Sequence, residues 1–134
     1  FYRQKEGVQR ETKIEVSSPI ICDEFRLRVI MNNLVSNAIK YQRKEETNKI
    51  INVGVKADAD MISICVEDNG IGIKAESLES LFEMFYRATN QESGSGIGLY
   101  IVKDAVQKLN GTITVESEFG KGSKFTINIP NQKE

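Results

Sequence analysis

The chain has 134 residues, 40% hydrophobic and 28% charged, and its 18 Lys+Arg and 19 Asp+Glu side chains give a net charge of -1. This length is typical of one compact domain, and the near-neutral charge argues against a general nucleic-acid binder, which carries a basic surplus. The absence of histidine excludes Ser–His or Cys–His nucleophile pairs and histidine-ligated metals.

Cys22 and Cys65 lie far apart in the sequence and match no zinc spacing. Their apolar neighbours predict buried free thiols in a reducing compartment. No apolar run approaches the ~20 residues of a membrane span, and no signal peptide is visible. Because the chain begins at Phe1, we expect a domain of a longer protein, and we expect it to be cytoplasmic. If the parent protein is anchored in the inner membrane, the domain would lie on the cytoplasmic side.

The first third of the sequence predicts a polar lead-in, a strand and a long helix. Residues 1–12 are expected to be a linker or a short lead-in strand, and Lys13–Val16 a short strand. Asp23 offers an N-cap carboxylate to a helix that runs to about Gln42. The apolar residues of this helix recur at helical spacing: Val29, Ile30, Leu34, Ala38 and Ile39.

The middle of the sequence predicts a charged loop over Arg43–Lys49, followed by strands Ile50–Ala57 and Met61–Glu67 with a tight turn between them. The second strand alternates, so that one face carries Ile62, Ile64 and Val66. Because strand side chains alternate with a period of two, Asp68 is predicted to lie on the same face. A Gly-rich loop, Asn69–Ile73, then leads to a short helix around Ala75–Phe82.

The last third predicts a polar, mobile stretch over residues 86–96 and a helix over Ile97–Leu109. The buried stripe of that helix is predicted to consist of Ile101, Val102, Ala105, Val106 and Leu109. Asn110 and Gly111 end the helix, because both tolerate a left-handed conformation. A final hairpin pairs Thr112–Glu116 with Lys124–Ile129 through a turn at Phe119–Ser123. Together these elements predict a two-layer α+β sandwich, with about three helices on one face of a mixed, mostly antiparallel sheet.

A polar stripe interrupts the apolar character of the first helix. Asn33, Asn37 and the pair Lys40/Tyr41 follow one another at turn spacing. Two amide oxygens one turn apart, with an ammonium beyond, suit a hydrated Mg²⁺ and its phosphates. Considered alone, the stripe is better explained as a solvated helix face.

Two Gly-rich segments are the next signals. In Asp68–Gly72 a carboxylate ends a buried strand and needs a hydrogen-bond partner, which an adenine amino group would supply. The alternative is an ordinary Asp-initiated turn. In Gly94–Leu99 the glycines open a helix whose free N–H groups would face an anion. The alternative there is a flexible linker, and the spacing matches no dinucleotide-binding fingerprint.

Two further segments complete the set. Gly120–Phe125 is most simply a hairpin turn, but it places the Ser123 hydroxyl near Asp68. Leu81–Arg87 is aromatic and ends on Arg87, whose guanidinium would reach a phosphate; a solvated arginine is the alternative.

The order and spacing of all five segments resemble the catalytic, ATP-binding domain of bacterial sensor histidine kinases. Residues 33–41 are similar to the N box of that family, 68–72 to its G1 box, 81–87 to its F box, 94–99 to its G2 box and 120–125 to its terminal Gly-rich element. The resemblance covers about residues 13–130. It implies the Bergerat-type sandwich of the GHKL superfamily, a single ATP-binding domain over residues 13–134, and a lid over residues 83–97 that is short between Arg87 and Gly94.

The resemblance also implies roles for individual residues. Asn37 would coordinate Mg²⁺ with support from Asn33, and Lys40, Tyr41 and Arg87 would contact phosphates or ribose, with Asn37, Lys40 and Arg87 forming the catalytic set. Asp68 would accept from the adenine amino group. The other residues implied to line the ATP site are Gly70, Gly72, Ile73, Phe85, Gly94, Gly96, Ile97, Gly98, Leu99 and Ser123.

The activity so implied is transfer of the γ-phosphoryl group of Mg-ATP to a histidine on a separate dimerisation domain, with a response-regulator receiver domain as the downstream partner. Two alternatives remain. A GHKL-type ATPase clamp would have a glutamate base where this chain has Asn33, and a neutral amide cannot accept a proton from water near pH 7. A non-catalytic module that binds nucleotide or a partner protein is the other.

Overall fold

The computed structural model describes residues 8–42, 48–83 and 98–132. These residues form five strands and three helices: β1 Val8–Val16, α1 Glu24–Lys40, β2 Lys49–Ala57, β3 Met61–Asp68, α2 Ala75–Leu78, α3 Gly98–Lys108, β4 Thr112–Glu118 and β5 Gly122–Pro130. The strands make one sheet in the order β1-β2-β3-β5-β4. Only the β1–β2 pair among them is parallel. The helices cover one face of this sheet, which confirms the predicted α+β sandwich.

The core lies between the helices and the inward face of the sheet. Strand residues alternate between the two faces, so every second side chain is buried. The inward residues of the central strands are Ile51, Val53, Ile62, Ile64, Val66, Phe125, Ile127 and Ile129. In β3 and β5, which lie inside the sheet, all of these residues except Phe125 are at most 1% exposed.

Helix α1 begins where the sequence predicts. The Asp23 carboxylate accepts a hydrogen bond from the Arg26 main-chain N–H at 3.2 Å and pairs with its guanidinium at 2.8 Å, which satisfies one free donor of the first turn. The buried residues are Ile30, Leu34, Val35 and Ala38. Val29 and Ile39, which the periodicity also places in the core, are half-buried at the edges of this stripe.

Helix α3 ends at Lys108, and the φ of 60° at Asn110, two residues later, confirms the predicted left-handed residue. The main-chain N–H groups of Asn110 and Gly111 donate to the carbonyls of Gln107 and Val106, the pairing typical of a Schellman motif. The prediction that Ile101 is buried is wrong, since it is 37% exposed. The packed stripe is Val102, Ala105, Val106 and Leu109, and Ile101 lies outside it.

Several boundaries differ from those predicted. β1 starts at Val8 rather than Lys13, because pairing with β2 extends it through residues predicted to be a linker or a lead-in strand. β4 and β5 pair out to Glu118 and Gly122, so the turn is shorter than Phe119–Ser123. The helix predicted to reach Phe82 ends at Leu78 and continues as turns.

The two cysteines are free thiols, as predicted, but both are half-buried rather than buried. Burial and the neighbouring Asp23 carboxylate raise the pKa of Cys22. None of the helices in the described ranges combines the length and the hydropathy that crossing a membrane would require.

The end of the sheet that carries the β2–β3 turn is held by Asn131. This side chain is buried, accepts from the Ile21 N–H at 2.8 Å, and donates to the carbonyls of Pro19 and Asp58 at 2.9 and 2.8 Å. Its main-chain N–H donates to the Asp60 carbonyl at 2.8 Å. One residue therefore ties the C-terminal segment, the loop before α1 and the β2–β3 turn together.

Candidate functional site

At the end of the sheet opposite Asn131, the row of inward apolar side chains on each of three strands gives way to a polar residue. In β3 this row ends in Asp68, in β5 it begins with Ser123, and in β4 it ends in Ser117. The strand register pairs Asp68 with Ser123 and Ser123 with Ser117. These three side chains therefore form one row across adjacent strands, which we call the polar row.

Asp68 is the charged member of the polar row. Burial raises the pKa of its carboxyl to about 6, against hydrogen bonds from the main-chain N–H groups of Gly70 and Ser123 that lower it. The Gly70 bond is 2.8 Å long. Carboxyl groups with a raised pKa are more frequent at functional sites than elsewhere, because burial of an ionised carboxylate without an opposite charge opposes folding.

The loop after Asp68 is fixed to three other elements. The Asn69 side chain accepts from the Ile50 N–H at 2.9 Å and donates to the Asn48 carbonyl at 2.6 Å, which holds the loop to the start of β2. The Ile71 N–H donates to the carbonyl of Tyr41, at the C-terminus of α1, at 2.9 Å, and the Ile71 carbonyl accepts from the Gly120 N–H at 2.7 Å. The backbone beside Asp68 is thus held in one position.

Glycine is required in this loop by the packing of the protein itself. A Cβ atom on Gly70 would overlap the Tyr41 carbonyl oxygen, and one on Gly72, whose φ is 73°, would overlap the Glu118 carbonyl oxygen. The family resemblance implies that both glycines line the ATP site. Their observed contacts show another reason for glycine here, which is close packing of the loop against α1 and the β4–β5 hairpin.

We expect Gly70→Ala to lower the free energy of unfolding by about 2 kcal/mol, because the new methyl group must displace the main chain of Tyr41. Gly54→Ala is the matched control, since the nearest atom to its Cβ position is the Cys65 Cβ at 4.0 Å. Urea denaturation measures both changes. Equal stability of the two variants would contradict this account of Gly70.

A second group of predicted residues lies where α1 meets the start of α3. Asn33 donates from Nδ2 to the Val29 carbonyl at 2.8 Å. Its amide oxygen faces Gly98, where a Cβ atom would lie 3.2 Å from it. Asn37 is half-buried one turn further along α1, and Lys40 is exposed in the last turn. Amide oxygens of this kind are suitable ligands for Mg²⁺.

The structure therefore brings Asp68, Gly70, Gly72 and Ser123 together with the main chain of Tyr41, and it joins Asn33 to Gly98. Ile73 lies at the edge of the first group, and Leu99 follows Gly98 in the first turn of α3. The remaining predicted site residues lie outside the described part of the chain: Phe85, Arg87, Gly94, Gly96 and Ile97.

Two residues of this site were missed by sequence reasoning. Ser117 accepts from the Ile73 N–H at 2.7 Å, and Asn69 joins the loop to β2. The inward position of Ser117 could have been predicted, because Ser117 continues the inward alternation of Ile113 and Val115 just as Asp68 continues that of β3. The role of Asn69 could not have been predicted in this way, since its hydrogen-bond partners are determined by the strand pairing.

Comparison with known proteins identifies the family of this chain. The family described as histidine kinase-, DNA gyrase B- and HSP90-like ATPases matches residues 22–133. The sensor protein RprX of Bacteroides fragilis is 38% identical over 124 residues, 89% of this chain and 24% of RprX. The autoinducer 2 sensor kinase/phosphatase LuxQ of Vibrio vulnificus is 39% identical over 138 residues, 97% of this chain and 16% of LuxQ. The chain thus spans about a quarter or less of these two relatives.

Solved structures share the fold over nearly the whole chain. The mycobacterial sensor histidine kinase MprB superposes with a TM-score of 0.75 at 26% identity, covering 93% of this chain and 86% of that one. Full-length ShkA in complex with AMPPNP gives a TM-score of 0.75 at 29% identity, covering 93% and 26%. The chain therefore belongs to the family of histidine kinase-, DNA gyrase B- and HSP90-like ATPases, and within it groups with the ATP-binding catalytic domains of sensor histidine kinases.

Proposed function

We propose that this domain binds Mg-ATP between the polar row and helix α1 and transfers the γ-phosphoryl group to a histidine on a separate dimerisation domain. The observation that carries the proposal is the half-buried Asp68 carboxylate, with a pKa of about 6, held at a strand end by two main-chain N–H groups. Such a group is stabilised when a ligand donates a hydrogen bond to it in place of water.

The purine would be recognised by its exocyclic amino group. Above its pKa the Asp68 carboxylate has no proton to donate and can only accept. An amino group is the donor that adenine presents at its 6-position. Because the loop over Asn69–Ile73 is tied to α1, β2 and the β4–β5 hairpin, the carboxylate is positioned before the ligand arrives, which reduces the entropic cost of binding.

The triphosphate would extend from the polar row along α1. Tyr41, beside the loop, and Asn33, beside Gly98, lie eight residues apart on this helix, a rise of about 12 Å. Asn37 is the residue that would hold Mg²⁺, with Asn33 supporting it and Lys40 supplying positive charge near the phosphates. The N-terminus of α3 would add main-chain N–H donors. When bound, Mg²⁺ would neutralise charge on the phosphate oxygens.

The chain's own contribution to the reaction is positioning and neutralisation of charge. Asn33 is an amide and cannot act as the general base that hydrolysis by an ATPase clamp requires. Because the sequence has no histidine, the acceptor is on another domain. A response-regulator receiver domain is the proposed final acceptor, and the proposed location is the cytoplasm, where ATP is available.

A transfer assay tests this function. The domain is incubated with labelled Mg-ATP and a separately expressed, histidine-bearing dimerisation domain from a sensor kinase. We expect acid-labile, base-stable phosphate on that acceptor and none on this chain. Steady release of inorganic phosphate without transfer would favour the ATPase clamp, and ATP binding with neither reaction would favour the non-catalytic module.

Asn37→Ala is expected to weaken ATP binding about tenfold in the presence of Mg²⁺, the factor that corresponds to one lost interaction with a charged group. Binding measured in EDTA should change little. Asn32→Ala, on the same helix but off the polar stripe, is the matched control. Calorimetric titration with and without Mg²⁺ measures both, and equal losses under the two conditions would refute the assignment of Asn37 to the metal.

A further inference from the structure

A closed hydrogen-bond arrangement surrounds the hydroxyl of Ser117. Its Oγ lies 2.7 Å from the main-chain nitrogen of Ile73, 2.9 Å from the carbonyl oxygen of Gly122 and 2.9 Å from the Oγ of Ser123. Ser117 is half-buried and Ser123 is buried. Three partners are the number that one hydroxyl group satisfies, because it carries one proton and two lone pairs.

The identities of the partners determine where each proton lies. The Gly122 carbonyl can only accept, so the Ser117 proton points to it. The Ile73 N–H can only donate, so it takes one lone pair of Ser117. The remaining lone pair faces Ser123, whose hydroxyl must therefore donate to Ser117. The Ser123 hydroxyl can then accept further hydrogen bonds, but its proton is no longer available to donate.

This assignment affects the purine site because Ser123 is the cross-strand partner of Asp68. Side chains paired in this way on one face lie about 5 Å apart at Cβ. With its proton directed at Ser117, the Ser123 hydroxyl presents only acceptor capacity beside a carboxylate that also only accepts. A 6-amino purine offers a donor to this pair, directly or through a water, whereas a 6-oxo purine offers an acceptor.

We infer that Ser117 is a specificity-determining residue that contacts no nucleotide itself: it fixes the proton of the Ser123 hydroxyl and so favours a 6-amino purine over a 6-oxo purine. The inference rests on the proposed function, since it requires a purine at the polar row. Ser117 acts only through Ser123 and is a positioning residue.

The test compares ATP with inosine triphosphate, which carries an oxo group in place of the 6-amino group. Dissociation constants are measured for the wild-type domain and for Ser117→Ala. In the variant the Ser123 hydroxyl is free to rotate and donate, so we expect the ATP preference to fall about fivefold, the effect of one ordinary hydrogen bond. Ser117→Thr keeps a hydroxyl and should restore the wild-type ratio. Thr114→Val removes an outward hydroxyl from the same strand and should leave the ratio unchanged.

A purely structural role for Ser117 gives a different result. Loss of structure would weaken both nucleotides equally and leave their ratio unchanged, which would overturn the inference. In the background of Ser123→Ala the Ser117→Ala change should no longer alter the ratio; an undiminished effect there would also overturn it. If Ser117→Ala does not fold, Ser117→Cys, whose thiol hydrogen-bonds weakly, should shift the ratio in the same direction.

Failure of the proposed function is recognised separately. A wild-type domain that binds neither nucleotide, or binds both equally, contradicts purine recognition at Asp68 and the inference with it. A wild-type preference for ATP that Ser117→Ala leaves unchanged overturns the inference alone.

Discussion

Replacing Asp68 with asparagine is expected to weaken ATP binding about 30- to 100-fold, because the charged acceptor of a half-buried hydrogen bond becomes a neutral amide. Glu67→Gln is the matched control, since Glu67 is the neighbouring acidic residue on the exposed face of β3. Its ATP affinity should remain within about twofold of wild type. Calorimetric titration at pH 7.5 measures both. Wild-type affinity in Asp68→Asn would remove the basis of the proposed function.

The pKa of Asp68 gives this prediction a pH dependence. The carboxyl titrates at about 6 in the folded domain against 3.8 for the ordinary group. ATP affinity should therefore fall in the wild type as the pH drops through about 6, because a protonated carboxyl no longer accepts in the same way. Asp68→Asn has no such group, so the difference in affinity between the two proteins should narrow between pH 7.5 and 5.

Folding stability should change in the opposite sense. The folded state binds this proton more tightly than the unfolded chain, so the contribution of Asp68 to stability is largest below pH 3.8 and is lost as the pH rises to about 6. Between pH 4.5 and 7.5 the free energy of unfolding of the wild type should decrease by about 2 kcal/mol relative to Asp68→Asn. Urea titrations at the two pH values measure this difference. A constant difference would show that the carboxyl is not perturbed.

Asn131→Ala is expected to lower the free energy of unfolding by about 3 kcal/mol, because three side-chain hydrogen bonds are lost and their main-chain partners remain in a buried site. The corresponding fall in Tm is roughly 10 °C for a domain of this size. Asn131→Asp, which has the same shape, should be destabilised at least as much, because an oxygen then faces the carbonyls of Pro19 and Asp58.

Asn52→Ala is the control for this pair, since Asn52 is exposed in the middle of β2. Its free energy of unfolding should stay within about 0.5 kcal/mol of wild type. Thermal denaturation followed by circular dichroism measures all three variants. A loss below about 1 kcal/mol in Asn131→Ala would mean that the three connected segments hold together without this side chain.

The location of Asp68 could be predicted from the sequence because it depends on a local rule. Alternation through Ile62, Ile64 and Val66 extends to Asp68 whatever lies beside the strand. The Asp23 cap and the left-handed Asn110 are equally local, since each depends on residues within one turn. Period and capping therefore predicted the order of the elements and most of their bounds.

Other features depended on which segments meet. Ile101 belongs to the apolar face of α3 by sequence, but in the structure its side chain is 37% exposed. Residues 8–12 look polar, and their pairing with β2 makes them part of a strand. The burial of a side chain and the length of an edge strand depend on the segment that packs or pairs with it. The sequence of one segment alone does not specify that neighbour.

By itself, the sequence determined the α+β architecture, the family resemblance and the position of the acidic residue at the strand end, because each of these follows from spacing along the chain. Only the tertiary structure revealed the polar row and the hydrogen bonds by which Asn131 connects three segments. Ile73 meets Ser117 across 44 positions of sequence, and Ile21 meets Asn131 across 110. Strand register and the packing of the two layers determine these partners. A local sequence pattern does not specify the main-chain group that a given hydroxyl or amide will contact.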